Sequence, residues 1–263
     1  MPTVTLNGCD LHYQDVGHGP SAVVLLHAFP LHGGMWTAQV AALSKTHRVL
    51  VPDYRGLGGS GPAPTASTMA LLAEDVRALL AHLRVERAAV AGLSMGGYLA
   101  FEVWRQAPGL VRGLALCDTK AGADTVEGAA GREAFARSTL EHGLSWVADA
   151  MVPKLLKPSP DPAVVKQVRH LVAAGTPAGV AAAQRGMAVR PDSTATLATI
   201  KVPTLVVVGE EDGLTPPVEA EKLVAGVKGA TLVKIPGAGH LPCLESPAAF
   251  TVALQAFLSG LPA

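Results

Sequence analysis

Ala88-Ala89-Val90-Ala91-Gly92-Leu93-Ser94-Met95-Gly96-Gly97 sets an apolar strand directly against a helix, with one serine at the junction. Ala88 to Ala91 reads as a strand buried on both faces. Met95 to Gln106 has helical apolar spacing, and Ala107-Pro108-Gly109 stops it. A strand that enters a helix so abruptly must turn tightly, and side chains two residues either side of Ser94 would strike neighbouring backbone. Glycines at 92 and 96 remove them. The turn lifts the Ser94 hydroxyl above the sheet and aims the unpaired amides and positive end of the helix at the space beside it.

Outward from this turn, Ala22 to Leu26, Arg48 to Val51, Leu114 to Cys117 and Leu205 to Val208 are further continuous apolar runs. Helix-length segments, Gly34 to Leu43 and Thr68 to Leu83, lie between them. This alternation predicts an α/β fold with a mostly parallel, doubly wound sheet. Thr3 to Leu6 and Leu11 to Val16 flank Asn7-Gly8, a hairpin signal, so the chain opens with antiparallel strands. From about Thr119 to Thr199 the alternation lapses. Helices are expected there over Glu127 to Glu141, Leu144 to Met151, Ala163 to Ala174 and Ala178 to Val189, split by Pro153, Pro158, Pro160, Pro162 and Pro177. The expected organisation is a core of residues 1–118 and 200–263 with a helical cap, 119–199, inserted in one compact unit.

With 263 residues, 49% hydrophobic and 16% charged, the chain has ample material for a large core. Lys plus Arg equal Asp plus Glu at 21 each. No net field draws the chain to nucleic acid or an anionic membrane, and a small-molecule substrate suits it better. Cys9, Cys117 and Cys243 are far apart and form no CxxC pair, which points to a reducing compartment. The first residues lack a basic stretch followed by an apolar core, and no apolar run has the length of a membrane span, so a cytoplasmic location is expected. His27 and His32 have no ligand cluster around them, so no metal site is expected.

Near neutral pH a serine needs a base within hydrogen-bond reach and a group that orients the base. His240 in Gly237-Ala238-Gly239-His240-Leu241-Pro242 follows the strand Thr231 to Ile235. Asp212 follows the strand that ends at Val208-Gly209, and both therefore sit at carboxyl ends of strands, where such sheets place their sites. Asp118 also ends a strand and competes for the acid's role. The oxyanion donors are expected to be the backbone N–H groups of Met95 and of Phe29 in the loop His27-Ala28-Phe29-Pro30, with His27 bracing that loop. Asp53 and Arg55 are expected to fix the neighbouring loop. Trp36, Leu31, Trp146 and Leu241 are candidates for the pocket wall, together with Phe135, Leu144 and Met151; packing inside the core or cap is the alternative for these residues.

These segments together resemble the α/β-hydrolase superfamily over essentially the whole chain. His27-Ala28-Phe29-Pro30 is similar to its HGFP-type loop, with Ala28 in place of the usual glycine. Asp53-Tyr54-Arg55-Gly56-Leu57-Gly58-Gly59-Ser60 resembles its D-x-R-G-x-G-x-S segment, and Gly92 to Gly97 its G-x-S-M-G-G turn. Gly209-Glu210-Glu211-Asp212 and Gly239-His240 complete the resemblance. It implies an eight-stranded sheet, acyl transfer by Ser94, His240 and Asp212, and no cofactor; in some relatives the acid stands at the position of Asp118. Relatives that open epoxides or displace halide use an aspartate where Ser94 stands, and Tyr13, Tyr54 and Tyr98 all lie outside the expected cap. Proline iminopeptidases carry a Gly-Gly-Pro-rich loop that is absent here. His27 to Trp36 with Ser-Met-Gly-Gly resembles small-molecule carboxylesterases, 3-oxoadipate enol-lactonases and cofactor-free haloperoxidase-like esterases. The expected substrate is a small ester, or alternatively a lactone whose carboxylate Arg132, Arg137, Lys154 or Arg190 would hold. A small-molecule binding protein without catalysis is the reading from another class.

Overall fold

The computed structural model describes residues 2–262. Strands β1 (Thr3–Leu6) and β2 (Cys9–Val16) form the opening hairpin, and Asn7 and Gly8 both take positive φ at its turn, 48° and 70°. Then follow β3 (Ala22–Leu26), α1 (Thr37–Leu43), β4 (Arg48–Pro52), α2 (Met69–His82), β5 (Ala88–Leu93), α3 (Met95–Gln106) and β6 (Val111–Cys117). After β6 come α4 (Val126–Leu155), α5 (Pro162–Ala173), α6 (Pro177–Ala188) and α7 (Thr194–Leu197). The chain closes with β7 (Thr204–Gly209), α8 (Pro217–Gly226), β8 (Thr231–Ile235), α9 (Pro242–Glu245) and α10 (Pro247–Ser259). All eight strands form one sheet in the order β1-β2-β4-β3-β5-β6-β7-β8. Strand β2 runs antiparallel to both its neighbours, β1 and β4, and all other neighbouring pairs are parallel.

Every residue of β3, β5 and β7 is buried, as is all of β6 except Arg112. Side chains of a strand alternate between faces, so unbroken burial means that helices cover both faces of the sheet. The order also has one reversal. From β3 the chain steps outward to β4, then crosses back to β5 on the other side of β3, and winds away through β6, β7 and β8. Parallel pairing aligns Leu26 with Gly92 at the carboxyl ends of β3 and β5. The loop after β3 and the turn at Ser94 are thereby set side by side at the switch point, where this topology opens a crevice.

Between β6 and β7 the chain is helical. Helix α4 is two helices joined at Gly143, whose φ of 76° and ψ of −171° break the ladder. Its second half continues past Met151 and through Pro153 to Leu155, so Pro153 does not end it as expected. Pro153 sits in the final turn, and both it and Asp149, the residue whose carbonyl would have met the missing N–H, are exposed. Asp161, Thr125 and Thr176 cap the starts of α5, α4 and α6 by accepting backbone N–H bonds, which is why these helices begin where they do. Among the described residues, no helix is long and apolar enough to cross a membrane.

Candidate active site

Ser94 lies between β5 and α3 with φ 57° and ψ −114°, a conformation that costs a non-glycine residue free energy and persists only if its surroundings hold it. They do so from three sides. The Ser94 N–H donates to Cys117 O on β6 (2.9 Å), its carbonyl accepts from Gly97 N–H (2.9 Å), and the Thr119 hydroxyl donates to the same carbonyl (2.9 Å). A Cβ on Gly92 would land on the Gly96 carbonyl, and one on Gly96 on the Leu26 carbonyl. Both glycines are thus required by close backbone approach, and the serine is left half-buried.

His240 and Asp212 are brought to this turn from β8 and β7. His240, 2% exposed, has Nε2 at 2.8 Å from Ser94 Oγ and Nδ1 at 2.8 Å from Asp212 Oδ2. Asp212 also accepts from the N–H groups of Leu214 (2.8 Å) and Thr215 (3.0 Å) on Oδ1, and from the Thr215 hydroxyl on Oδ2 (2.6 Å). Burial works against charge on Asp212, but the hydrogen bond and charge of His240, and then the bonds from Thr215, outweigh it and hold the carboxyl below its usual range. Glu245 secures the histidine loop by accepting from Gly239 N–H and Lys157 N–H, both at 2.8 Å. A continuous hydrogen-bonded line from Ser94 Oγ through His240 to Asp212 is therefore in place. Asp118, the competing acid, instead accepts from Gly209 N–H at 2.8 Å.

The loop after β3 is held by His27, which is fully buried and stacks on Tyr54 with ring centroids 3.6 Å apart. Its Nδ1 donates to Ala28 O (3.1 Å), and its Nε2 accepts from Tyr54 N–H (3.2 Å). The ring must be neutral for Nε2 to accept. Burial enforces this, pushing its pKa from 6.5 to about 4. Among the described residues the Phe29 N–H donates no hydrogen bond, and Met95, first in α3, has no partner for its N–H within the helix. Asp53 ties the next loop, accepting from Gly33 N–H (2.7 Å), Gly59 N–H (2.9 Å) and His12 (2.7 Å), while Arg55 pairs with Asp75 (2.6 Å). Asp118, Asp212 and His240 are the one cluster among the described residues with metal-ligand types in reach of each other. Asp212, His240 and one Asp118 oxygen are already engaged, with Thr215, Ser94, Gly209 and one another, which is a poor fit to a cation site.

Ser94 and His240 open onto a cavity of about 300 Å³. Phe29, Phe135, Met151, Leu155, Met187 and Leu214 supply an apolar wall, and Lys120, Asp124, Arg132, Lys154 and Gln184 a polar one. Phe135 meets Phe29 edge-on with ring centroids 6.1 Å apart. Arg132 and Arg190 both pair with Asp124; burial opposes that carboxyl's charge, yet the two guanidiniums hold it at about 2.

The geometry agrees with a family assignment made independently: the family model described as alpha/beta hydrolase fold matches residues 21–247. The chain belongs to the alpha/beta hydrolase family. It is 38% identical to a thermophilic esterase from Thermogutta terrifontis of known structure, with a TM-score of 0.94, covering 98% of this chain and 97% of that one. An enol-lactonase from Burkholderia xenovorans LB400 is 31% identical at a TM-score of 0.90, covering 98% of this chain and all of the other. The 3-oxoadipate enol-lactonase 2 of Acinetobacter baylyi is 27% identical over 97% of this chain and 96% of its own length. The protein is a hydrolase.

In this hydrolase the expected pocket wall is corrected by the structure. Trp36, Leu31 and Leu241 are fully buried in the core, Trp36 against Phe250 at 5.8 Å, and none lines the cavity. Trp146 stands behind Phe135, at 4.8 Å between rings, and Leu144 is also absent from the lining; Phe135 and Met151 do reach it. Arg190 is buried, with Asp124, Gly122 O and Met187 O as partners, so it is not free to hold a substrate, and Arg137 does not line the cavity. Sequence reading missed Lys120 and Thr215. Both stand just beyond carboxyl strand ends, β6 and β7, a position that could have flagged them.

Proposed function

We propose that this hydrolase cleaves small-molecule carboxylic esters through an acyl-enzyme on Ser94. The observation that carries the reading is the continuous hydrogen-bonded line from Ser94 Oγ through His240 to Asp212, opening on a cavity of small-molecule size. In this reading His240 Nε2 takes the Ser94 proton as Oγ attacks the ester carbonyl. Phe29 and Met95 N–H groups stabilise the tetrahedral oxyanion, and His240 returns the proton to the departing alcohol. Water, deprotonated by the same imidazole, then releases the acid. Asp212 keeps Nδ1 protonated and balances the imidazolium charge; no cofactor enters any step. The helices α4 to α6 act as the cap that supplies Phe135, Met151 and Arg132 to the pocket. The three cysteines are free and buried, which supports a cytoplasmic setting.

Ser94→Ala is expected to reduce p-nitrophenyl acetate hydrolysis by about six orders of magnitude, to background, with unfolding temperature retained. A fluorophosphonate probe should label the native protein at Ser94 and leave Ser94→Ala unlabelled. Activity or labelling that survives the substitution overturns the assignment, and a folded native protein that is neither active nor labelled would favour a binding role. One observation favours a second reading, hydrolysis of a carboxylate-bearing lactone. Lys120 and Lys154 line the cavity and, among the described residues, neither forms an ion pair.

A further inference from the structure

The chain carries two acids at neighbouring strand ends, Asp118 after β6 and Asp212 after β7, and the relay uses only one. Asp118 is 1% exposed and takes φ 43°. Its N–H donates to Val207 O (2.9 Å), and Oδ1 accepts from Gly209 N–H, so it is clamped to β7 at two points. Oδ2 is buried without a partner. One atom each from Asp118, Asp212 and His240 lie within 4.8 Å of one another.

The titratable groups that face Asp118 are the carboxyls of Asp212 and Glu245, the thiols of Cys117 and Cys243, and the His240 imidazole. None is a lysine or arginine. Two carboxylates this close and this buried do not both ionise. Asp212 has four hydrogen bonds that favour its charge, from His240, Leu214 N–H and both the N–H and hydroxyl of Thr215. Asp118 has one, and burial first and the Asp212 charge second keep its proton on. The proton belongs on Oδ2, the oxygen that no donor reaches, and from there it is shared with Asp212.

We propose that Asp118 is a positioning residue for the relay: its carboxyl donates a hydrogen bond to Asp212, and once the Asp212 side chain is removed it gives up that proton and orients His240 itself. The proposal rests on Ser94 and His240 acting as nucleophile and base.

The test compares Asp118→Asn, Asp212→Ala and the double variant with the native protein, as kcat/KM for p-nitrophenyl acetate against pH. Asparagine tolerates positive φ, keeps an acceptor for Gly209 and a donor for Asp212, but cannot carry charge. Asp118→Asn should therefore stay within about threefold of native. Loss of an orienting acid costs about 10⁴-fold when nothing replaces it. With Asp118 in reserve, Asp212→Ala should lose only about 10²-fold, and its activity should rise with pH through a carboxyl titration above the native acidic limb. Adding Asp118→Asn should remove the residual activity, to about 10⁴-fold below native. Equal activity of Asp212→Ala and the double variant overturns the proposal. If the double variant does not fold, Asp212→Ala decides alone: residual activity without that new titration overturns it. An active Ser94→Ala would instead overturn the ester-hydrolase reading, so the two failures are distinct.

Discussion

His27 offers a way to test whether the loop bearing Phe29 is held by a neutral imidazole, because the structure gives that requirement a size. Folded, the ring takes a proton only near pH 4; unfolded, it takes one near 6.5. Between those values the unfolded chain binds more protons, so stability is present in full above about pH 6.5 and is lost as pH falls toward 4. The interval, 6.5 minus about 4, is about 2.5 pH units, and at about 1.36 kcal/mol per unit the loss from this residue is about 3 kcal/mol. The perturbation is His27→Gln, whose amide can still accept from Tyr54 N–H but does not titrate. Urea unfolding of both proteins at pH 7.5, 6, 5 and 4 measures the effect. The variant should be less stable at pH 7.5, having lost the stack on Tyr54, yet its stability should fall less steeply on acidification, the gap between the two curves closing by about 3 kcal/mol at pH 4. Parallel curves for the two proteins would refute the reasoning, since other acid-sensitive groups are common to both.

Gly92→Ala places a methyl group on the Gly96 carbonyl with backbone on both sides, and should cost more than about 3 kcal/mol, read as a fall in unfolding temperature or as failure to fold. Lys120→Ala together with Lys154→Ala should lower kcat/KM for esters or lactones that carry a carboxylate by about tenfold while leaving neutral esters within about twofold, and added salt should narrow the difference. Selective loss on the charged substrates supports the lactone reading. No preference for such substrates in the native protein argues against it.

The strand, turn and helix around Ser94 were legible because each depends on local pattern: apolar runs, a helical period, and glycines where backbones touch. A mostly parallel, doubly wound sheet was legible from the alternation of apolar runs and helical segments, although the pairing of β3 with β5 is seen only in the structure. The pocket wall was not. Whether a large apolar side chain faces core or cavity depends on how α4 to α6 seat over the sheet, and no periodicity in β3 or its loop distinguishes Trp36, packed on Phe250, from Phe29, which meets Phe135 edge-on at the cavity wall. Pro153 misled for a related reason. Its cost depends on whether the carbonyl it leaves unpaired is exposed, which is a tertiary fact.

The choice between Asp118 and Asp212 shows the same limit in its sharpest form. Both acids follow apolar strands, both lie before His240 in the chain, and both end up buried within reach of it. What separates them is the backbone that follows each strand. After β7, Gly213-Leu214-Thr215 folds back so that two N–H groups and a hydroxyl converge on Asp212 and favour its charge. After β6, Asp118 is locked by β7 itself, with one N–H from Gly209 and no further donor. Burial and the Asp212 charge favour the protonated form of Asp118, whereas His240 and then the Thr215 donors favour charge on Asp212, the carboxyl that holds the imidazole. The consequence reaches beyond the relay. Burial first and the Asp212 charge second make folded Asp118 hold a proton that the unfolded chain releases in the ordinary carboxyl range, so the native protein loses stability as pH rises from that range toward the raised value. Asparagine at 118 has no such proton to acquire, which makes Asp118→Asn a variant that should gain stability at pH 7 relative to pH 4 while leaving the Ser94 relay in working order.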